Sequence, residues 1–355
     1  MWISCRLLER TRRMHQDSLY VEIKNRICRL IYDGTYQEGE KIPPERTLAD
    51  QWDVSRVTVR KALELLEEEN VILREVGSGT RIMYRNTGHG GTMDTVTLTA
   101  PARSPFFSEF IEDFQKYADS QDSLVLFAQK AENGTIEDCL YRLYEKGLYN
   151  AVVWLDDNKV DFERLKRLRA LGMNMVFFDT DLAVPYADCI HLDNEAAIHE
   201  LCKSIRAQGG ESIGYLGWDR EEIFSIRKRK EAFLQTRCQR DSMLELPWSR
   251  RREAERCSQE LIGGLLGQGR LPDAILCTDE DIGIAVSKVF DRMDIRSVIL
   301  AVIDAVPGSE QQRMISYRQN FPEISRKIYE CLKSQNENPG IWTAKEYPMK
   351  GILDR

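Results

Sequence analysis

The sequence predicts an α+β winged helix-turn-helix head followed by an α/β two-lobed domain. Three observations carry that expectation. Residues 17–84 hold three capped helical segments and a short glycine-tipped hairpin. Residues 85–94 are Gly-rich and lack any apolar period, as a linker does. From Thr95 onward, strands and helices alternate over about 260 residues, the pattern of parallel sheets covered by helices.

In the head, Leu19, Ile23, Ile27, Leu30 and Ile31 recur at helical spacing, between a cap at Ser18 and a stop at Asp33-Gly34. A turn over residues 34–42 follows. Pro43-Pro44-Glu45 opens the second helix, with proline and acid suited to a first turn. After Asp53-Val54, Ser55 caps a third helix from Arg56 to about Glu69. Val59, Ala62, Leu63 and Leu66 share one face; Arg56, Val57, Arg60, Lys61 and Glu64 share the other. The cations come first on this helix and the acids last, against the preference of the helix dipole. Phosphates approaching its N-terminal end explain that order; an ordinary solvated face is the plainer alternative. Strands over 71–76 and 80–84, joined through Gly77-Ser78-Gly79, complete the wing. Such a head places its third helix in the DNA major groove.

The chain carries a net charge of −7, unusual for a DNA binder. Its distribution matters more than its sum. Residues 1–86 hold 15 Lys and Arg against 14 Asp and Glu, so the acid excess lies in the remainder. The Arg-rich residues 1–16 read as a disordered tail. No run reaches the roughly 18 apolar residues of a membrane span, and no signal peptide is recognisable; a cytoplasmic protein with no membrane partner is expected. Nine scattered cysteines without a CxxC pair read as reduced structural thiols, and the four histidines lack metal spacing, so neither a metal nor a cofactor is expected.

Gly39-Glu40-Lys41-Ile42-Pro43-Pro44-Glu45-Arg46-Thr47-Leu48-Ala49, Val54 to Leu63 and Gly77-Ser78-Gly79-Thr80 together resemble the N-terminal domain of GntR-type bacterial regulators. That resemblance implies DNA contacts from Arg46, Ser55, Arg56, Val57, Thr58, Arg60 and Lys61, and from Gly77 and Ser78 at the wing tip. Val57 stands where the family commonly has threonine, and Asn70 where it has glycine.

In the α/β region the expected strands end at polar residues: Asp156-Asp157, Asp179-Thr180-Asp181, Thr278-Asp279-Glu280 and Asp304. The first strand leads to Arg103-Ser104-Pro105-Phe106-Phe107. Carboxylates with aromatic neighbours suit a polyhydroxylated ligand, although loop ends are polar in any case. His191 to Ala197, Ser212 to Gly217, Arg229 to Phe233 and Pro272 to Cys277 resemble the effector domain of LacI/GalR regulators, which is periplasmic-binding-protein-like. The resemblance implies effector contacts from Arg229, Asp279, Glu280 and Asp304, and the polar strand ends add Ser104, Phe107, Asp156 and Asp179 as candidates. A GntR-type head on a LacI-type body is similar to arabinose-responsive repressors.

The expected function is a dimeric transcriptional regulator, a repressor, that binds a double-stranded DNA operator under control of a sugar or sugar derivative. An alternative keeps the DNA-binding head but gives the body only dimerisation or protein-partner binding. An enzyme is not expected: no GxSxG elbow, dinucleotide-binding turn or P-loop is present.

Overall fold

A computed structural model describes residues 19–75, 77–84, 93–100, 105–155, 159–182, 185–304 and 314–354. The head opens with helix α1 over residues 19–32. Next come β1 (Lys41–Ile42), α2 (Glu45–Trp52), α3 (Arg56–Glu68), β2 (Ile72–Glu75) and β3 (Gly79–Ile82). The turn expected over 34–42 needs correction at its end. Lys41 and Ile42 pair antiparallel with Arg81 and Thr80, so the wing is a three-stranded sheet in the order β1-β3-β2. Two residues are too few to show a strand period, and only the partner strand reveals them. Asn70, where a glycine is usual, takes φ 55, a left-handed conformation that asparagine tolerates.

The body alternates as expected: β4 (Thr95–Thr99), α4 (Pro105–Ser120), β5 (Leu124–Ala128), α5 (Ile136–Glu145), β6 (Asn150–Trp154), α6 (Phe162–Ala170), β7 (Asn174–Phe178), β8 (Asp188–Leu192), α7 (Asn194–Ala207), β9 (Ile213–Trp218), α8 (Phe224–Thr236) and β10 (Ser242–Leu246). A 3-10 turn over Trp248–Glu253 leads into α9 (Ala254–Gly267), β11 (Ala274–Cys277), α10 (Glu280–Arg292) and β12 (Ile299–Ile303). Beyond Ile303, where the expected elements end, lie β13 (Met314–Arg318), α11 (Phe321–Glu337), β14 (Glu346–Met349) and β15 (Ile352–Asp354).

These strands form two six-stranded sheets, β14-β8-β7-β6-β4-β5 and β10-β9-β11-β12-β13-β15. The two orders correspond strand for strand, so β7 of one lobe occupies the place of β12 in the other. The chain crosses between lobes three times, after β8, after β13 and between β14 and β15. Each sheet is buried on both faces, which accounts for strand runs that are apolar throughout. In β7, Met175 and Phe177 pack toward α5 and α6, whereas Val176 and Phe178 pack toward α4 and α11. In the second lobe, Tyr215, Leu276 and Ala301 face α7 and α8, while Leu216, Ile275 and Val302 face α9 and α10.

The head is not a free bead on this body. Its core residues Ile23, Ile27 and Ile31 belong to the same buried cluster as Leu140, Tyr141 and Tyr144 of α5. Tyr32 stacks on Tyr141 with ring centroids 4.3 Å apart, and its hydroxyl donates to Asp138 at 3.0 Å. Arg167 of α6 donates to the Tyr32 carbonyl at 3.3 Å.

Candidate nucleic-acid interface and interlobe cleft

The third helix starts as its sequence dictates: Ser55 accepts the Thr58 amide at 3.1 Å, and the two hydroxyls lie 2.8 Å apart. Val59, Ala62, Leu63 and Leu66 are buried, which fixes the orientation of α3. Arg46, Arg56, Val57, Arg60 and Lys61 are exposed, and Val57 is 57% accessible. Such an apolar side chain between cations, open to solvent, can meet a thymine methyl while its neighbours meet phosphates or base edges. Thr58 differs from the rest of the expected set. It is 4% accessible and turned inward onto the Ser55 cap. Lys61 lies over the Tyr20 ring, 5.5 Å from its centroid. Gly77 sits exposed at the wing tip with φ 78 and open space where a Cβ would project; Ser78 donates its amide to Glu75 at 3.0 Å.

Glu45 is a member of this surface that sequence reasoning assigned only to a helix end. Its carboxylate takes Arg60 at 3.2 Å and Arg74 of the wing at 2.6 Å. The acid thereby ties helix α3 to the wing, and phosphate must compete with it for Arg60.

The second cluster lies between the lobes. Asp179 follows β7 and Asp304 follows β12, the corresponding strands of the two sheets. Both take left-handed backbone angles, φ 56 and φ 78, which aspartate, like asparagine, adopts more readily than most residues. Asp179 Oδ2 accepts from Ser225 of α8 at 3.3 Å, bridging the lobes, and Phe224 of α8 lies edge-on to His191 of β8 at 4.7 Å. Among the described residues, Oδ1 of Asp179 and Oδ1 of Asp304 are buried without a partner, as are Gln319 Oε1 and Thr278 Oγ1. Arg229 of α8, 6% accessible, donates to Asn194 Oδ1 at 2.7 Å and to the Thr278 carbonyl. Asp279 caps α10 through the Ile282 amide at 3.0 Å and accepts from Trp218 Nε1 at 2.6 Å. Glu280 is buried in the first turn of α10. Burial raises the pKa of Asp179 and Asp279, and it raises that of Asp304 to about 7, with Asp179 and Asp279 adding to the shift and Arg229 opposing it.

Asp179, Arg229, Asp279 and Asp304 therefore lie near enough to act on one another's charge. Ser104, Asp156 and the Phe107 side chain lie outside the described residues. Asn194, Ser225, Thr278 and Gln319 belong to the cluster but were not among the expected effector residues. Thr278 adjoins the recognised Asp279-Glu280 pair, and Gln319 sits in the crossover after β13; their polarity alone did not separate them from other loop residues. Among the described residues no group of His, Cys, Asp and Glu could hold a metal ion.

The winged helix-turn-helix head and the two-lobed body each resemble known proteins. Residues 19–82 match the family model for bacterial regulatory proteins of the gntR family. The head is also 40% identical over 70 residues to the probable fructoselysine utilization operon transcriptional repressor of Escherichia coli K12. That match spans 20% of this chain and 29% of the relative. The body has the fold of LacI-type regulators. The trehalose repressor from Escherichia coli superposes with a TM-score of 0.61 at 16% identity, over 74% of this chain and 100% of that one. The Cra transcriptional dual regulator from Pseudomonas putida, in complex with fructose 1-phosphate, gives 0.60 at 16%, over 74% and 98%. The chain thus joins a head that matches the gntR family model to a body that has the fold of LacI-type regulators. No helix of the described residues is long and apolar enough to cross a membrane.

Proposed function

We propose that the protein is a cytoplasmic, sequence-specific transcriptional repressor, and not an enzyme, whose grip on a DNA operator is set by a small molecule between the lobes. A sugar or sugar derivative is the ligand class, and two copies act together. In this reading residues 17–84 bind DNA, 85–94 link, and 95–355 bind effector and dimerise. Arg46, Arg56, Val57, Arg60 and Lys61 face DNA with Gly77 and Ser78; Ser55 and Thr58 hold the helix that presents them. Asp179, Arg229, Asp279, Glu280 and Asp304 form the effector site, joined by Ser104, Phe107 and Asp156.

The observation that carries this reading is the pair of Asp179 and Asp304, held at corresponding strand ends, each with a buried carboxylate oxygen that has no partner among the described residues. Buried acceptors without partners cost stability unless a ligand meets them. They also weigh against a body that has lost small-molecule binding and serves only dimerisation or partner contacts. Ligand binding can control the head only through a difference in affinity between two lobe arrangements.

The test uses an operator isolated by selection from random DNA. Arg56→Ala and Arg60→Ala are each expected to weaken binding by roughly 1–3 kcal/mol if the side chain reads a base. Arg229→Ala is expected to leave ligand-free operator binding intact and abolish the response to sugar. Full operator affinity in the Arg56→Ala/Arg60→Ala double variant would overturn the assignment of the head.

A further inference from the structure

Among the described residues, the interlobe cluster holds more carboxyls than cations. We infer that its ligand is a cation, an aminated sugar or polyol bound as its ammonium form, and that phosphorylated or carboxylated sugars are excluded. The inference rests on the reading of this cleft as the effector site and narrows the ligand it takes.

Consider first what the cleft asks for. Three of its unpartnered buried atoms, Asp179 Oδ1, Asp304 Oδ1 and Gln319 Oε1, are acceptors. The fourth, Thr278 Oγ1, can accept or donate. A ligand that satisfies this set must be rich in donors. Hydroxyl groups supply some, and an ammonium group supplies three with no acceptor of its own.

Charge then separates a neutral ligand from a cationic one. Asp179, Asp279 and Asp304 all feel one guanidinium, Arg229. Arg229 spends its hydrogen bonds on neutral acceptors, the Asn194 side chain and the Thr278 carbonyl. Asp279 is supported by the N-terminus of α10 and by Trp218. Asp179 and Asp304 have no helix end or indole to support them: Asp179 has Ser225 and the field of His191, and Asp304 has Gln319. Arg251, the other cation that acts on Asp279, is itself paired with the exposed Asp281 at 2.5 Å. A neutral sugar would meet the oxygens but do nothing to offset the burial that pushes all three carboxyls toward their protonated form. A phosphate or carboxylate would add another negative charge. An ammonium group placed between Asp179 and Asp304 does both at once.

The test is titration calorimetry of the full-length protein against matched trios, each a hexose, its amine and its phosphate. D-glucose, D-glucosamine and D-glucose 6-phosphate make one; the galactose and mannose series and D-fructose with 1-amino-1-deoxy-D-fructose and fructose 1-phosphate make the others. In at least one trio the amine is expected to bind at least tenfold more tightly than the parent hexose, with no binding of the phosphate. Asp179→Asn/Asp304→Asn is expected to bring the amine down to the affinity of its parent. Equal or tighter binding of the hexose or the phosphate in every responsive trio overturns the inference and leaves the effector site standing. A flat panel also overturns it. The thermal midpoint of the ligand-free double variant then decides the fate of the site itself. A midpoint several degrees above wild type marks carboxylates kept for a ligand, and a midpoint at or below wild type removes the effector reading as well.

Discussion

Asp304 sets a pH dependence whose sign follows from its burial. Its carboxyl titrates near pH 3.8 when exposed and at about 7 in the fold. Between those values the folded chain holds a proton that the unfolded chain has lost, so stability falls as pH rises from 4 to 7 and levels off above. The shift corresponds to roughly 4 kcal/mol, an upper figure because Asp179, Asp279 and Arg229 titrate or act with it. Asp304→Asn, which keeps the shape and removes the charge, is expected to raise the thermal midpoint at pH 8. The advantage should shrink as pH is lowered toward 4. A variant equally stabilised at every pH would refute this origin. On the head, Ser55 is the residue whose loss should reach furthest: it caps α3 and is the side-chain partner of buried Thr58. Ser55→Ala is expected to cost about 1 kcal/mol by thermal melting, and operator binding should weaken with it, because the cap orients the first turn that carries Arg56 and Val57.

Between elements, the joint of head and first lobe is the feature the sequence hid most completely. The stripe of α1 was legible as apolar spacing, and so was that of α5, but periodicity does not say which stripes meet. The structure sets Tyr32 on Tyr141 and Cys28 Sγ 3.4 Å from the Tyr144 hydroxyl. Burial pushes the Cys28 thiol up to about 11, so it is a packing group and not a reactive one. The same limit explains the body. Its βα alternation and its polar strand ends were readable because each is local. Helix α11 carries Ile324, Ile328 and Leu332 at helical spacing behind an Asn320 cap and was equally readable in principle. Strands β14 and β15 were not, since four and three residues show no period and their pairing depends on two crossovers. The cleft was half legible for a related reason: carboxylates advertise themselves, whereas Asn194, Ser225 and Gln319 become site residues only through the folding of three elements onto one point. If the joint is one cooperative unit, Tyr141→Ala should cost roughly 3 kcal/mol. It should also speed amide exchange in α1 together with α5. Faster exchange confined to α5 would mean that the head is held by its own core alone.

At the scale of the molecule, one edge of the first sheet needs a cover. Strand β5 is last in its sheet, with a neighbour on one side only. It exposes Leu124 at 67%, Leu126 at 43% and Phe127 at 49%. An apolar edge strand left open invites pairing with other chains, and soluble proteins usually charge or cover it. A second copy of this chain is the cover that fits the proposed function, because a two-fold pair brings two heads to two half-sites. Leu126→Asp/Phe127→Asp is expected to give a monomer by light scattering at micromolar concentration, with circular dichroism unchanged. Affinity for a single half-site should stay as it was, since α3 is untouched. Affinity for the full operator should fall at least tenfold, because the second head then binds from solution instead of from a tethered position. A variant that remains dimeric would put the interface elsewhere. A monomer with undiminished affinity for the full operator would show that one head suffices, and the cleft would then have to act on DNA through the Tyr32–Tyr141 joint within a single chain.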